Sequence, residues 1–163
     1  MKIWRCSGLA ALALLATLGA CKGEAGGNES LSEHGMQVKP VTITTAGGQS
    51  HVFKAEVAAT EAQQQQGLMY RPPLAANAGM LFAPYPPDGG PPRAASFWMR
   101  NTPNSLDIIF IRQDGTIATI GENAVPFSEA KVDSGEPIAA VLELAGGRSA
   151  ELGIAAGDKV AWK

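Results

Sequence analysis

The densest alternation of large apolar and polar positions lies in two neighbouring stretches, Ser96-Phe97-Trp98-Met99-Arg100-Asn101-Thr102 and Leu106-Asp107-Ile108-Ile109-Phe110-Ile111. Read as two strands and a turn, they predict a β-hairpin with Arg100 opposite Asp107, Met99 opposite Ile108, Trp98 opposite Ile109 and Phe97 opposite Phe110. Cross-strand partners share a face. One face is then Phe97, Met99, Ile108 and Phe110, all core, and the other Trp98, Arg100, Asp107 and Ile109. The unbroken apolar run after Asp107 predicts a central strand covered on both faces.

Further strands are predicted at 41–44 and 51–57, joined through Gly47-Gly48 as a hairpin, and at 79–82, 116–120, 139–144 and 159–162. Asp114-Gly115 is a hairpin signal between the central strand and its successor. Thr60 followed by Gln63 is a capping box opening a short helix to Gly67, with residues 63–66 as solvated helix surface. Pro72 and Pro73 forbid its continuation. A second helical turn is expected at 149–152, stopped by Gly153. Residues 84–93, with five prolines, form a loop that leads into Ser96 and overhangs the central hairpin, and 121–137 form a second polar loop. Seven or eight short strands and two short helices make a mainly β domain, a single compact antiparallel sandwich or partly closed barrel.

The N-terminus changes the picture of where this domain works. Residues 1–20 pair a basic start, Lys2 and Arg5, with an apolar run too short to span a bilayer, which is the pattern of a signal peptide. The run ends Leu18-Gly19-Ala20-Cys21, which resembles the bacterial lipobox, so Cys21 is expected to become a lipidated N-terminus that anchors the chain to a membrane. Lys22 after the cysteine favours the outer membrane, by resemblance to Gram-negative sorting rules. Residues 21–40 are Gly-rich and aperiodic and read as a flexible tether, so the globular domain is expected over 41–163.

Composition then removes several functions. Without residues 1–20 the chain keeps 11 basic against 15 acidic residues, a net charge of −4, with no basic stripe for nucleic acid. The only cysteines, Cys6 and Cys21, precede the domain, which excludes a disulfide framework or a cysteine nucleophile within it. There is no phosphate-binding glycine loop, no Gly-x-Ser-x-Gly and no metal-spaced His/Cys cluster, so no cofactor or metal is expected. His51 is the domain's sole histidine and reads as structural or solvated. Met69, Met80 and Met99 could offer thioethers to Cu(I), but they lack a binding period and read as core.

What remains is a polar cluster. Arg100 and Asp107 at the hairpin mouth read as an ion pair beside Trp98, and Arg71, Asn101 and Glu143 complete a candidate site for a small polar ligand or an envelope protein partner. A hydrolase-like alternative has Asp107 and Glu143 facing one another across a cleft as an acid–base pair.

The chain also resembles the widespread prokaryotic domain-of-unknown-function family 192, the uncharacterised ACR family. The matching pieces are Gly67-Leu68-Met69-Tyr70-Arg71, Gly79-Met80-Leu81-Phe82, Phe97 to Thr102, Leu106 to Ile111, Val141-Leu142-Glu143-Leu144, and Gly153-Ile154 with Gly157-Asp158. Ser105 stands where the family's usual loop has a proline, and Arg112 where it more often has an aspartate. The resemblance implies a compact, mainly β fold and no reaction.

Overall fold

A computed structural model describes Met1 and residues 30–163. The segment expected to be a signal peptide, from residue 2 onward, and Cys21 lie outside the described residues. Ten strands and two helices follow in order: β1 (Ser30–Leu31), β2 (Gln37–Thr44), β3 (Ser50–Ala58), α1 (Glu61–Gln66), β4 (Ala78–Phe82), β5 (Arg93–Phe97), β6 (Leu106–Ile111), β7 (Ile117–Ala124), β8 (Val132–Ile138), β9 (Ala140–Ala145), α2 (Arg148–Leu152) and β10 (Lys159–Trp162). Residues 30–40, expected in the tether, are folded from Ser30 onward: β1 pairs with the start of β2.

The large sheet runs β1-β2-β3-β4-β9-β6-β7, with β10 also on β2, and a separate two-stranded ribbon joins β5 to β8. The mainly β, sandwich-like architecture is the expected one; its sheets do not close into a barrel. One pair departs from the antiparallel expectation. β3 and β4 run parallel, because the 59–77 connection carries α1 across before the chain returns, as a parallel crossover requires.

β6 is buried at every position, as its apolar run predicts. Its neighbours, however, are β7 and β9, not the 96–102 segment. Alternation along β6 sends Asp107, Ile109 and Ile111 to one face and Leu106, Ile108 and Phe110 to the other. The first face packs with Ile43, Phe53, Leu81 and Leu142 inside the curved sheet. The second packs with Met80, Phe82, Met99 and Val141 under the β5–β8 ribbon. The predicted loop at 121–137 contributes the last four residues of β7 and all of β8 but Ile138. Pro137 misleads a sequence reading there, since a strand paired on one side only can hold a proline.

Gly79 lets β4 reach β9. A Cβ there would meet the Glu143 carbonyl oxygen at 2.7 Å, so only glycine permits the close approach that seats Glu143 between its cross-strand neighbours Met80 and Ile108.

Candidate functional site

The expected Arg100–Asp107 pair does not form, and the hairpin that would have made it is absent. β5 stops at Phe97 and pairs with β8, Phe97 opposite Val132. The chain then turns: Thr102 N–H donates to the Met99 carbonyl at 3.0 Å, with Asn101 at φ 56° in the third position of the turn. Asparagine tolerates this left-handed conformation. Asn101 is thus a turn residue, and its carbonyl accepts the Tyr70 N–H at 2.8 Å. Arg100 is exposed, with its Nε 3.9 Å from the equally exposed Glu129.

Asp107 is fully buried and serves the backbone. Its Oδ1 accepts N–H groups from Asn123 and Gly147, both at 2.9 Å, and its Oδ2 accepts Ser149 N–H at 2.7 Å. α2 begins after Gly147, which has no side chain to cap it. Asp107 supplies that cap from a neighbouring strand, satisfying donors that a helix start leaves open.

Arg71 lies in a different place again. Its guanidinium pairs with Glu56 at 3.1 Å, and His34 Nδ1 sits 3.2 Å from the other Glu56 oxygen. These residues line a hollow of about 240 Å³ separate from the larger cleft described below, with Leu68 between the two.

Two of the expected site residues, Trp98 and Glu143, do come together, at a cleft of about 490 Å³. One wall is α1 and residues 67–69; the other is formed by Tyr85 and Pro87 of the proline-rich loop, which does overhang the end of β5. Phe82 and Phe97 meet edge to face, ring centroids 5.2 Å apart, within the lining. Trp98 stands at the rim, its ring under the Lys131 ammonium at 4.1 Å.

α1 is built as its sequence signal predicts. Thr60 Oγ1 accepts Gln63 N–H at 3.3 Å, and Gln63 Oε1 accepts Thr60 N–H at 3.0 Å. The glutamine run is more than solvated surface. Gln64 Nε2 donates to the carbonyls of Ala58 and Pro84, at 3.0 and 2.8 Å, so a single side chain ties β3, α1 and the proline-rich loop together. With its amide nitrogen committed to two carbonyls, Gln64 Oε1 is left buried and without a partner. No periodicity marks this role, because it depends on which carbonyls the crossover brings near.

Glu143 forms the floor. It keeps only 5% of its surface exposed, and its Oε2 has no hydrogen-bond partner. Burial pushes its carboxyl up to about 8, so it is mainly protonated at neutral pH. Asp107 and Glu143 face opposite sides of the sheet, Asp107 opposite Leu144 and Glu143 opposite Ile108. The expected acid–base pair across a shared cleft is therefore not present.

Met80 and Met99 are each 1% exposed in the core, while Met69 is half-buried in the cleft lining. Met99→Leu roughly conserves volume and should cost less than about 1.5 kcal/mol. Urea unfolding of the variant checks this, and a larger loss would show that the thioether does more than fill space.

A mainly β domain with a crossover helix and one aromatic cleft over a buried acid is the class this fold and site define. The profile of the Uncharacterized ACR family, domain of unknown function 192, matches residues 42–162, and the chain belongs to that family. A protein of unknown function from Novosphingobium aromaticivorans DSM 12444 is 45% identical, with a TM-score of 0.76 over 82% of this chain and 91% of that one. A Sinorhizobium meliloti 1021 protein given the provisional label of transcription regulator is also 45% identical, with a TM-score of 0.73 over 78% of this chain and 95% of that one. No curated protein matches.

Proposed function

We propose that the chain is a lipid-anchored domain of the cell envelope that binds a small molecule in the cleft over Glu143, without catalysing a reaction. The observation that carries the binding reading is the unpartnered Glu143 Oε2 at the floor of an aromatic-lined cleft. Buried polar atoms are nearly always hydrogen-bonded, and one left open in a concavity is a natural point for a ligand. A cleft of about 490 Å³ is of ordinary small-molecule size. Glu143 has the protonation a general acid needs at neutral pH, but Asp107, its expected partner in hydrolysis, is occupied by backbone donors on the other face.

Titrating the purified chain with 2-phenylethanol while recording amide spectra tests the cleft. Shifts should concentrate at residues 64–69, 97–102 and 143. No shift, or shifts confined to other surfaces, would overturn the binding reading.

The envelope reading rests on Leu18-Gly19-Ala20-Cys21 after a short apolar run. Cys21→Ser should abolish acyl labelling in a bacterial host and release the chain from the membrane fraction. Equal labelling of the variant would remove the anchor from the proposal.

A further inference from the structure

We propose that the ligand of this cleft is an organic cation, a primary ammonium carried on an apolar or aromatic tail, with the ammonium received by Glu143 and Gln64. The inference rests on the small-molecule reading above and narrows it to a class.

Three observations converge. First, the two buried polar atoms without partners that line the cleft, Glu143 Oε2 and Gln64 Oε1, are both oxygens. The Gln64 oxygen can only accept, because its amide nitrogen is held by the Ala58 and Pro84 carbonyls. The Gln64 oxygen therefore calls for a hydrogen-bond donor, and Glu143 accepts from the same donor once its carboxyl ionises; an ammonium carries three N–H donors. Second, the charged side chains among the described residues that line the cleft are both acidic, Glu61 and Glu143, with no Lys, Arg or His among them. An anionic ligand would leave the Gln64 oxygen unsatisfied, and the cations nearby, Lys131 and Arg100, stand over the Trp98 ring at the rim, 4.1 and 5.5 Å from its centroid, and not at the open oxygens. Third, Leu68, Met69, Phe82, Tyr85, Phe97 and Trp98 give the lining a large apolar and aromatic share beside its polar residues, with Phe82 and Phe97 packed edge to face. Such rings take an apolar tail and present negative π-faces to a nearby cation.

Proton balance follows from the state of the floor. Glu143 is mainly protonated in the free protein. When the ammonium seats, the carboxyl gives its proton to solvent and becomes the carboxylate of a buried pair, while the ammonium keeps its three protons. The other titratable groups lining the cleft are the Glu61 carboxyl and the Tyr85 phenol. Burial raises the Tyr85 phenol, so it stays neutral through this range. Binding between pH 6 and 7 thus releases close to one proton per ligand.

The experiment compares 2-phenylethylamine, 2-phenylethanol and 3-phenylpropionate on the purified full chain by calorimetry. Two buffers of different ionisation enthalpy read the released proton. The amine should bind at least about tenfold more tightly than the alcohol, as a charge-assisted hydrogen bond predicts, and the carboxylate should bind least. Glu143→Gln should remove the amine's advantage and the proton release together while leaving alcohol binding in place. Thermal unfolding confirms that this variant is folded. Glu61→Gln, at the rim, should weaken the amine only slightly. If the alcohol shifts the cleft amides but the amine binds no better, or if Glu143→Gln keeps the preference, the cation assignment falls and the cleft reading stands. If none of the three binds, both fall.

Discussion

Asp107→Ala should be among the most damaging single changes in the described domain. The substitution leaves three backbone N–H donors, of Asn123, Gly147 and Ser149, without their acceptor. Each unsatisfied buried donor costs roughly 1–3 kcal/mol, and two of these lie at partly buried positions that water can reach, so the total is on the order of 3–5 kcal/mol. Against the usual 5–15 kcal/mol of a whole domain, that is a large share. α2 would lose its cap at the same time. Asp107→Asn keeps one acceptor oxygen and should cost about half as much. Arg100→Met should cost only about 0–1 kcal/mol, since Arg100 and Glu129 are both exposed. The double variant Asp107→Ala with Arg100→Met should show simple addition, because the two residues share no partner. A urea titration of the four variants decides the matter. Recovery of stability in the double variant would mean that Arg100 and Asp107 pair in solution.

Glu143→Gln should act in the opposite direction and stabilise the protein at neutral pH. The ordinary glutamate value is 4.5, and burial raises Glu143 to about 8. Between those values the folded state holds a proton that the unfolded state has released, so stability falls as pH rises. The wild-type domain is therefore most favoured below 4.5 as far as this group is concerned, loses stability through the interval, and levels off above about 8. Linkage at 1.36 kcal/mol per pH unit puts the cost near pH 7 at about 3 kcal/mol. Glutamine cannot ionise and removes that slope. Chemical denaturation of wild type and variant at intervals from pH 5 to 8 should give curves that separate steadily as pH rises. Parallel curves would show that Glu143 is not held protonated by burial. A site that carries such a cost without an internal partner is consistent with a group kept for something outside the chain.

The helix at 61–66 was legible because its signals are local. Thr60 and Gln63 cap each other over three residues, and no distant contact is needed. The same holds for the turn at Asp114-Gly115, where Asp114 Oδ1 accepts Thr116 N–H at 2.9 Å. The double-sided burial of β6 was legible from the four consecutive apolar positions Ile108 to Ile111. Glu143 and Trp98, singled out as a charge within an apolar strand and a large ring beside a turn, were brought together by the fold at one cleft. Their companions were not. Asn101 serves its own turn, Arg71 belongs to Glu56, and Arg100 faces solvent.

By itself the sequence determined the strand-rich class, the capped helix, the tight turns and the family, since each depends on residues near one another in the chain. It also determined that β6 and β9 are core, because a run of apolar residues has nowhere else to go. Only the tertiary structure decided which strands pair. Phe97 and Ile108 have equally good apolar faces for several neighbours, and the parallel β3–β4 pair, β9 beside β6 and β5 on β8 all join strands that are not adjacent through a tight turn in the sequence. That choice of neighbours placed Asp107 and Glu143 on opposite faces of the sheet. One became a cap for a helix forty residues away in the chain, and the other became the floor of the cleft. Alternation says that two residues face opposite ways or the same way along one strand. What each then meets is set by the packing of elements that no local pattern relates.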